Sequence, residues 1–280
     1  MNSVSPGLVG RIWPRLRRGM VDAGLGELLL RLNVLGLVET RRKLAFQHIA
    51  PGSCGLEIGA LHAPLPLPPG AHACYVDKHC VDTLRTLRAD AATTLVIPDL
   101  LADGLRLHCI AAESQDFVIA NHLLEHAQDT LGTLCNWLHV LRPGGTLFIA
   151  VPIGARCFDR GRPLTTNEHF LADYELTLAG DTAAMRQRNL AHVEEHLAIS
   201  APAIAALQGQ SWVPPGDGER QRLITHFLDH NPEQIHHHVF SRTSLGELLH
   251  LLCRVVGGAC RVERVAASRV EALAIVRRLR

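Results

Sequence analysis

The chain has 280 residues, 47% of them apolar, which is enough to bury one large core or two small ones and argues against a disordered chain. Twenty-eight basic residues face 27 acidic ones, a net charge of +1, and aromatics make up 4%; both argue against an extended nucleic-acid surface. Histidine is the outlier at 17 residues, several of them clustered.

Residues 1–20 read as irregular, broken by Pro6 and Pro14, and carry Arg11, Arg15, Arg17 and Arg18. Residues 21–49 read as one or two helices leading into the fold. The apolar run from Leu25 to Val38 is interrupted by Glu27, Arg31 and Asn33, so it suits neither a signal-peptide core nor a transmembrane segment. It reads as an amphipathic helix that covers the core or meets a partner, with contact to a membrane surface as the other reading. Pro51-Gly52-Ser53 is a turn, and Cys54–Ile58 is a strand that ends in Gly59-Ala60. The proline-rich stretch 62–70 is a poor helix, so the first crossover is short or extended. Ala73–Val76 is a second strand with Asp77 at its tip. Val81–Arg88 is helical, and Thr94–Ile97 is a third strand ending in Pro98-Asp99. Gln115–Ala120 is a fourth strand. Leu131–Leu141 is a helix stopped by Arg142-Pro143-Gly144-Gly145, and Thr146–Val151 is a fifth strand, wholly apolar.

Alternation of strands with helices predicts an α/β fold, a Rossmann-like, doubly wound and mostly parallel sheet. Residues 153–235 change character, being polar, rich in histidine and punctuated by proline and glycine, with helical pieces near 167–180 and 182–207. They read as an insertion. Ser244–Leu252 is a helix, and Arg261–Ala267 with Glu271–Arg277 form an antiparallel hairpin around Ser268 that brings the sheet to seven strands. The expected organisation is an N-terminal helical segment 1–50, a core 51–152, an inserted acceptor or lid region 153–235, and a completion of the core sheet over 236–280. The eight cysteines form no C-x-x-C pair, and several sit in apolar runs; buried free thiols in a reducing cytoplasm are expected.

A strand, a glycine turn, and a second strand tipped by a carboxylate form the pattern by which open α/β sheets bind nucleoside cofactors. Gly59 lets the backbone approach the ligand closely. Asp77 can accept hydrogen bonds from both ribose hydroxyls. With these in place the chain resembles the class I S-adenosylmethionine-dependent methyltransferases. The resemblance rests on Leu56-Glu57-Ile58-Gly59, Tyr75-Val76-Asp77, Pro98-Asp99-Leu100, Asp116–His126 and Leu141–Leu147 in order, and on the terminal helix and hairpin. It covers about 54–152 and 239–280. The fuller G-x-G-x-G form is absent, since His62 and Pro64 stand where glycines often lie. A narrower resemblance is to bacterial methyltransferases of surface-polysaccharide and secondary-metabolite pathways. It rests on Leu56–His62, Asp159–Thr165, Glu168-His169 and His236–Phe240.

The resemblance implies an enzyme whose cofactor is S-adenosyl-L-methionine. It implies that Glu57, Gly59 and Ala60 meet the methionine part, Glu57 through the amino group. Asp77 would meet the ribose, Asp99 and Leu100 the adenine, and Asn121 and His122 the floor below the sulfonium. A hydroxyl acceptor must lose its proton, so a base or a metal is expected. His122, His126 and His238 are the candidate bases. His122, Glu125 and His126 lie at i, i+3, i+4 and form a candidate site for a divalent metal. They resemble the metal-binding turn of RNA 3′-end 2′-O-methyltransferases and quinone-pathway O-methyltransferases. With nitrogen in place of the usual first carboxylate, zinc, iron, manganese or cobalt is favoured over magnesium. His192 with His196, or His236 with His238, could complete it. Metal-free relatives use the same turn to tie the loop down. Arg160 and Arg162 near His169 suggest a polar acceptor pocket in which the arginines grip a phosphate or carboxylate; a solvated loop held by salt bridges is the other reading, and the acceptor expected overall is a polar small molecule such as a carbohydrate. Nitrogen, carbon and RNA acceptors, and a cofactor-binding scaffold, stay open. A nicotinamide-dependent dehydrogenase is disfavoured by the missing G-x-G-x-x-G.

Overall fold

The computed structural model describes residues 37–87 and 95–280. Readings made for residues 1–36 and for Thr94 lie outside them. The described chain opens with helix α1 (Leu37–His48), the last part of the predicted helical stretch. Seven strands follow: β1 (Cys54–Ile58), β2 (His72–Asp77), β3 (Leu100–Leu101), β4 (Gln115–Asn121), β5 (Leu141–Pro152), β6 (Cys260–Ala267) and β7 (Glu271–Arg278). Their spatial order is β3-β2-β1-β4-β5-β7-β6. The first five are mutually parallel. β7 runs antiparallel to both β5 and β6.

Residues alternate across each strand, and the two faces bury different sets. Val118 and Ala120 of β4 join Leu131, Leu134 and Trp137 in one core. Phe117 and Ile119 join Leu44 and Ala45 of α1 in the other. The first face is covered by α3 (Thr130–Val140) and α8 (Arg242–Val255), which follow α2 (Val81–Leu87) and the inserted helices. Asp129 caps α3 by accepting from the Gly132 N–H, and Ser241 with Ser244 forms a capping box on α8. The predicted stop at Arg142–Gly145 falls inside β5, whose ladder breaks after Leu141 and resumes at Thr146, with Gly144 at φ 82° making the turn.

Between β5 and α8 lie α4 (Asn167–Ala179), α5 (Thr182–Glu195), α6 (Ala201–Leu207) and α7 (Asp217–Thr225). The π-helical turn His196–Ser200 joins α5 to α6, and a second, His226–His230, follows α7. This insertion buries Val193, Leu197, Ile224, Leu228 and Ile235 in a small core of its own.

Two expectations are corrected. The third strand is Leu100–Leu101; of the stretch expected, the described residues 95–97 carry no strand, Ile97 being 66% exposed, and Pro98 has no N–H to give a ladder. Instead the Asp99 carboxylate accepts from the Tyr75 N–H at 2.8 Å, and Leu100 pairs with Val76. The cysteines are all free, as expected, but Cys54, Cys80 and Cys109 are exposed and only Cys260 is buried. Apolar runs reach strand edges and loops as well as cores. No described helix is long and apolar enough to cross a membrane.

Candidate active site

The strand order reverses about β1, which pairs with β2 on one side and β4 on the other. The crevice at the carboxyl ends of these strands is where open α/β sheets take ligands. Gly59 closes β1 at φ 64°, with no atom within 4 Å of where a Cβ would sit. Its N–H donates to the Val76 carbonyl at 2.9 Å, which ties the turn to β2. Ala60 follows, half-buried, and Leu61 is also held at positive φ, 50°. Asp77 ends β2 and uses one carboxylate oxygen on the His79 N–H, leaving the other for a ligand. Asn121 ends β4 with both side-chain polar atoms buried and without a partner. A buried orphan amide at a strand tip is costly unless a ligand completes it.

Glu57 takes a different position from the one expected. It is 1% exposed, and both its oxygens accept from the Leu65 N–H, at 2.8 and 3.0 Å. Burial raises its pKa to about 7, against the pull of Leu65 and the charge of Arg41. It therefore anchors the proline-rich loop that follows Gly59.

His122 sits one residue past β4 at φ 55°, a strained conformation for a non-glycine residue. Its N–H donates to the Ala150 carbonyl at 2.8 Å, which fixes the backbone there. The imidazole is 40% exposed, with Nε2 at 2.9 Å from Glu271 Oε2 and Nδ1 at 3.6 Å from Glu125 Oε1. Glu271, fully buried at the start of β7, also takes two bonds from Arg41 of α1, at 2.9 and 2.5 Å. A carboxylate accepts, so Nε2 carries the proton and Nδ1 presents its lone pair.

Behind His122 lies a second constellation. The turn Leu124–His126 buries Glu125 completely, and neither carboxylate oxygen has a hydrogen-bond partner. Burial raises its pKa, opposed by His236 and His122. His126 Nδ1 donates to the Ile235 carbonyl at 2.9 Å, and burial with the nearby His236 lowers its pKa to about 3. His236 Nδ1 donates to Asp159 at 2.6 Å. Burial works against that carboxylate, but His236, Ser200 and Arg162 hold its pKa well below the usual range. Both imidazoles therefore turn Nε2 lone pairs inward. Ligand atoms of Glu125, His126 and His236 lie within 4.8 Å of one another. A carbonyl and a carboxylate fix the two rings from behind, which is how metal-ligating histidines are oriented. The residues fit a divalent ion.

The predicted trio of His122, Glu125 and His126 is thus corrected. His236 completes the mutual group, while His122 stands beside it, because the turn after β4 sends its ring toward Glu271. Arg162 is corrected as an acceptor grip. Its side chain is fully buried and is occupied by Asp159, Glu195 and the carbonyls of His236 and His237. Arg160 is exposed. His238 is corrected as a base: it is 1% exposed and stacks edge-on with His169 and His192. Arg41, Glu271 and Asp159 were not legible as site residues. Asp159 stood only within the Asp159–Thr165 stretch that carried the narrower resemblance, and Glu271 only as the acid that opens the last strand. A pocket between the 50–53 and 142–146 turns lies at the opposite, amino end of the parallel strands, away from this chemistry.

Residues 58–149 match the model of a family described as a methyltransferase domain. No curated protein matches the chain in sequence. Among solved structures, an S-adenosylmethionine-dependent methyltransferase from Aquifex aeolicus is similar at 12% identity and TM-score 0.42, over 91% of this chain and 97% of that one. A possible exported protein from Bordetella parapertussis is similar at 14% and TM-score 0.42, over 87% and 67%. A protein from Rhodobacter sphaeroides named for zinc-dependent alcohol dehydrogenases is similar at 17% and TM-score 0.47, over 85% and 89%. These likenesses are remote in sequence.

Proposed function

We propose that this chain, whose residues 58–149 match a methyltransferase-domain family, is a class I S-adenosylmethionine-dependent methyltransferase that transfers the methyl group to a hydroxyl oxygen of a polar small molecule such as a sugar. Gly59 and Ala60 take the methionine part of the cofactor, Asp77 the ribose, and Asp99 with Leu100 the adenine. Asn121 and His122 lie below the sulfonium. Residues 153–235 form the lid over the acceptor, latched to the tip of β2 by the Lys78–Glu233 ion pair at 2.7 Å.

The observation that carries the oxygen acceptor is the His122–Glu271 pair. Methyl transfer is an in-line displacement in which most of the catalysis is alignment. A hydroxyl also has to lose its proton as it attacks. His122 Nδ1 presents a lone pair at the strand tip, and Glu271 stabilises the imidazolium that forms. Glu125, His126 and His236 would hold a divalent ion, which when bound polarises a coordinated hydroxyl.

The test is adenosylhomocysteine release by the full chain with a panel of sugars, other polar alcohols and amines. Turnover with hydroxyl acceptors, collapsing in His122→Gln with cofactor binding intact, supports the reading. Turnover with amines alone overturns the acceptor class. Cofactor binding without turnover on any acceptor would favour a scaffold.

A further inference from the structure

Three histidines and an aspartate converge in the insertion, apart from the Glu125 group. His169 and Asp173 lie one helical turn apart on α4. His192 lies on α5. His238 lies in the extended run that leads from the insertion to α8. The Nε2 atoms of His169 and His192 are 3.1 Å apart. Asp173 Oδ2 is 3.2 Å from His169 Nε2 and 3.9 Å from His238 Nε2. Ligand atoms of the three histidines all fall within 4.8 Å of one another.

Hydrogen bonding alone does not satisfy this group. One proton on His169 Nε2 can serve either His192 or Asp173. It does not reach His238 Nε2, which is buried without a partner, and Asp173 Oδ2 is left unpaired whenever that proton serves His192. Asp173 and His238 are each 1% exposed, and His192 6%. Arg188 fixes the set from behind, donating Nε to Asp173 Oδ1 and Nη2 to the His169 carbonyl. That leaves Oδ2 as the inward oxygen. Ligands about 2.0–2.1 Å from a tetrahedral zinc lie about 3.3 Å from one another, close to the 3.1 and 3.2 Å that separate His169 Nε2 from His192 Nε2 and Asp173 Oδ2.

We propose that His169, His192, His238 and Asp173 form a zinc site, a closed four-ligand centre that clamps α4 and α5 of the insertion onto the segment leading back to the core. Three imidazoles and a carboxylate suit zinc better than magnesium or calcium. With every position filled by protein, the site is structural rather than catalytic. It is independent of the Glu125 group, which has only two imidazoles.

The experiment is metal analysis of the full chain purified from zinc-supplemented medium, with His192→Ala, Asp173→Asn and His236→Ala beside it. The wild type is expected to keep about one equivalent of zinc through dialysis at this site, in addition to any metal held by Glu125, His126 and His236. His192→Ala and Asp173→Asn are expected to lose it, and His236→Ala to keep it. X-ray absorption of the wild-type zinc protein needs no variant and is expected to give a shell of three imidazoles. Folded wild type without zinc, zinc lost only in His236→Ala, or a two-imidazole shell with one zinc per chain would each overturn the proposal. Such a result would leave the methyltransferase reading untouched, since that is judged by cofactor binding and turnover.

Discussion

At the scale of single residues, the site divides into what short sequence spacing places and what only the closed sheet brings in. Gly59, Asp77 and Asn121 end neighbouring strands, so strand recognition was enough to put them together. If Asp77 meets the cofactor as proposed, loss of its carboxylate removes a charged acceptor from the ribose hydroxyls, worth about 2 kcal/mol. Asp77→Ala should weaken S-adenosylmethionine binding roughly 30-fold by calorimetry. His122 was legible as a candidate, but its partner was not, because Glu271 is 149 residues away along the chain. Its other support, Arg41, lies 230 residues from Glu271. Two substitutions probe the pair. His122→Gln should lower kcat about 10²- to 10⁴-fold with little change in cofactor affinity. Glu271→Gln should lower kcat in the same direction and move the pH–rate profile, an effect that loss of packing would not produce. Arg162 looked like an acceptor grip because its neighbours in sequence are polar. Burial gives it other work, and no local pattern reports burial of an arginine.

At the scale of elements, periodicity was a good guide wherever a segment packs on one side. β4 and α3 were placed nearly to the residue, since β4 alternates between two cores and α3 turns Leu131, Leu134 and Trp137 into one of them. Leu134 is fully buried in that core. Leu134→Ala should cost about 2–5 kcal/mol in a denaturant titration, through lost transfer energy and the cavity left behind. β3 was misplaced because its two residues are held by one pairing with β2 and by the Asp99 carboxylate, not by an apolar run. Histidine spacing in the insertion was likewise ambiguous. His192 and His196 share a helical face in sequence, yet the π-helical turn begins at His196 and the ring of His196 packs against Phe227. His192 meets His169 and His238 instead.

At the scale of the whole molecule, Glu263 joins distant parts of the fold. It accepts from Arg277 and Arg261 and contacts His48 at the end of α1. Arg277 in turn reaches the Gly144 carbonyl and Thr146 of β5. The Arg277 hydrogen bond leads in lowering the Glu263 pKa from 4.5 to about 2. A depressed carboxylate stabilises the folded state above its unfolded pKa and ceases to do so as pH falls through the folded value. The contribution is therefore present above about pH 4.5 and fades toward pH 2. Thermal melts at descending pH should show Glu263→Gln and wild type converging in that window and diverging above it. The insertion, meanwhile, gathers Val193, Leu197, Ile224, Leu228 and Ile235 among themselves rather than into the sheet. A module with its own core can open on its own clock. Under deuterium exchange its amides should gain mass earlier than those of β4 and β5, so that letting an acceptor in and coming apart as a protein are separate events.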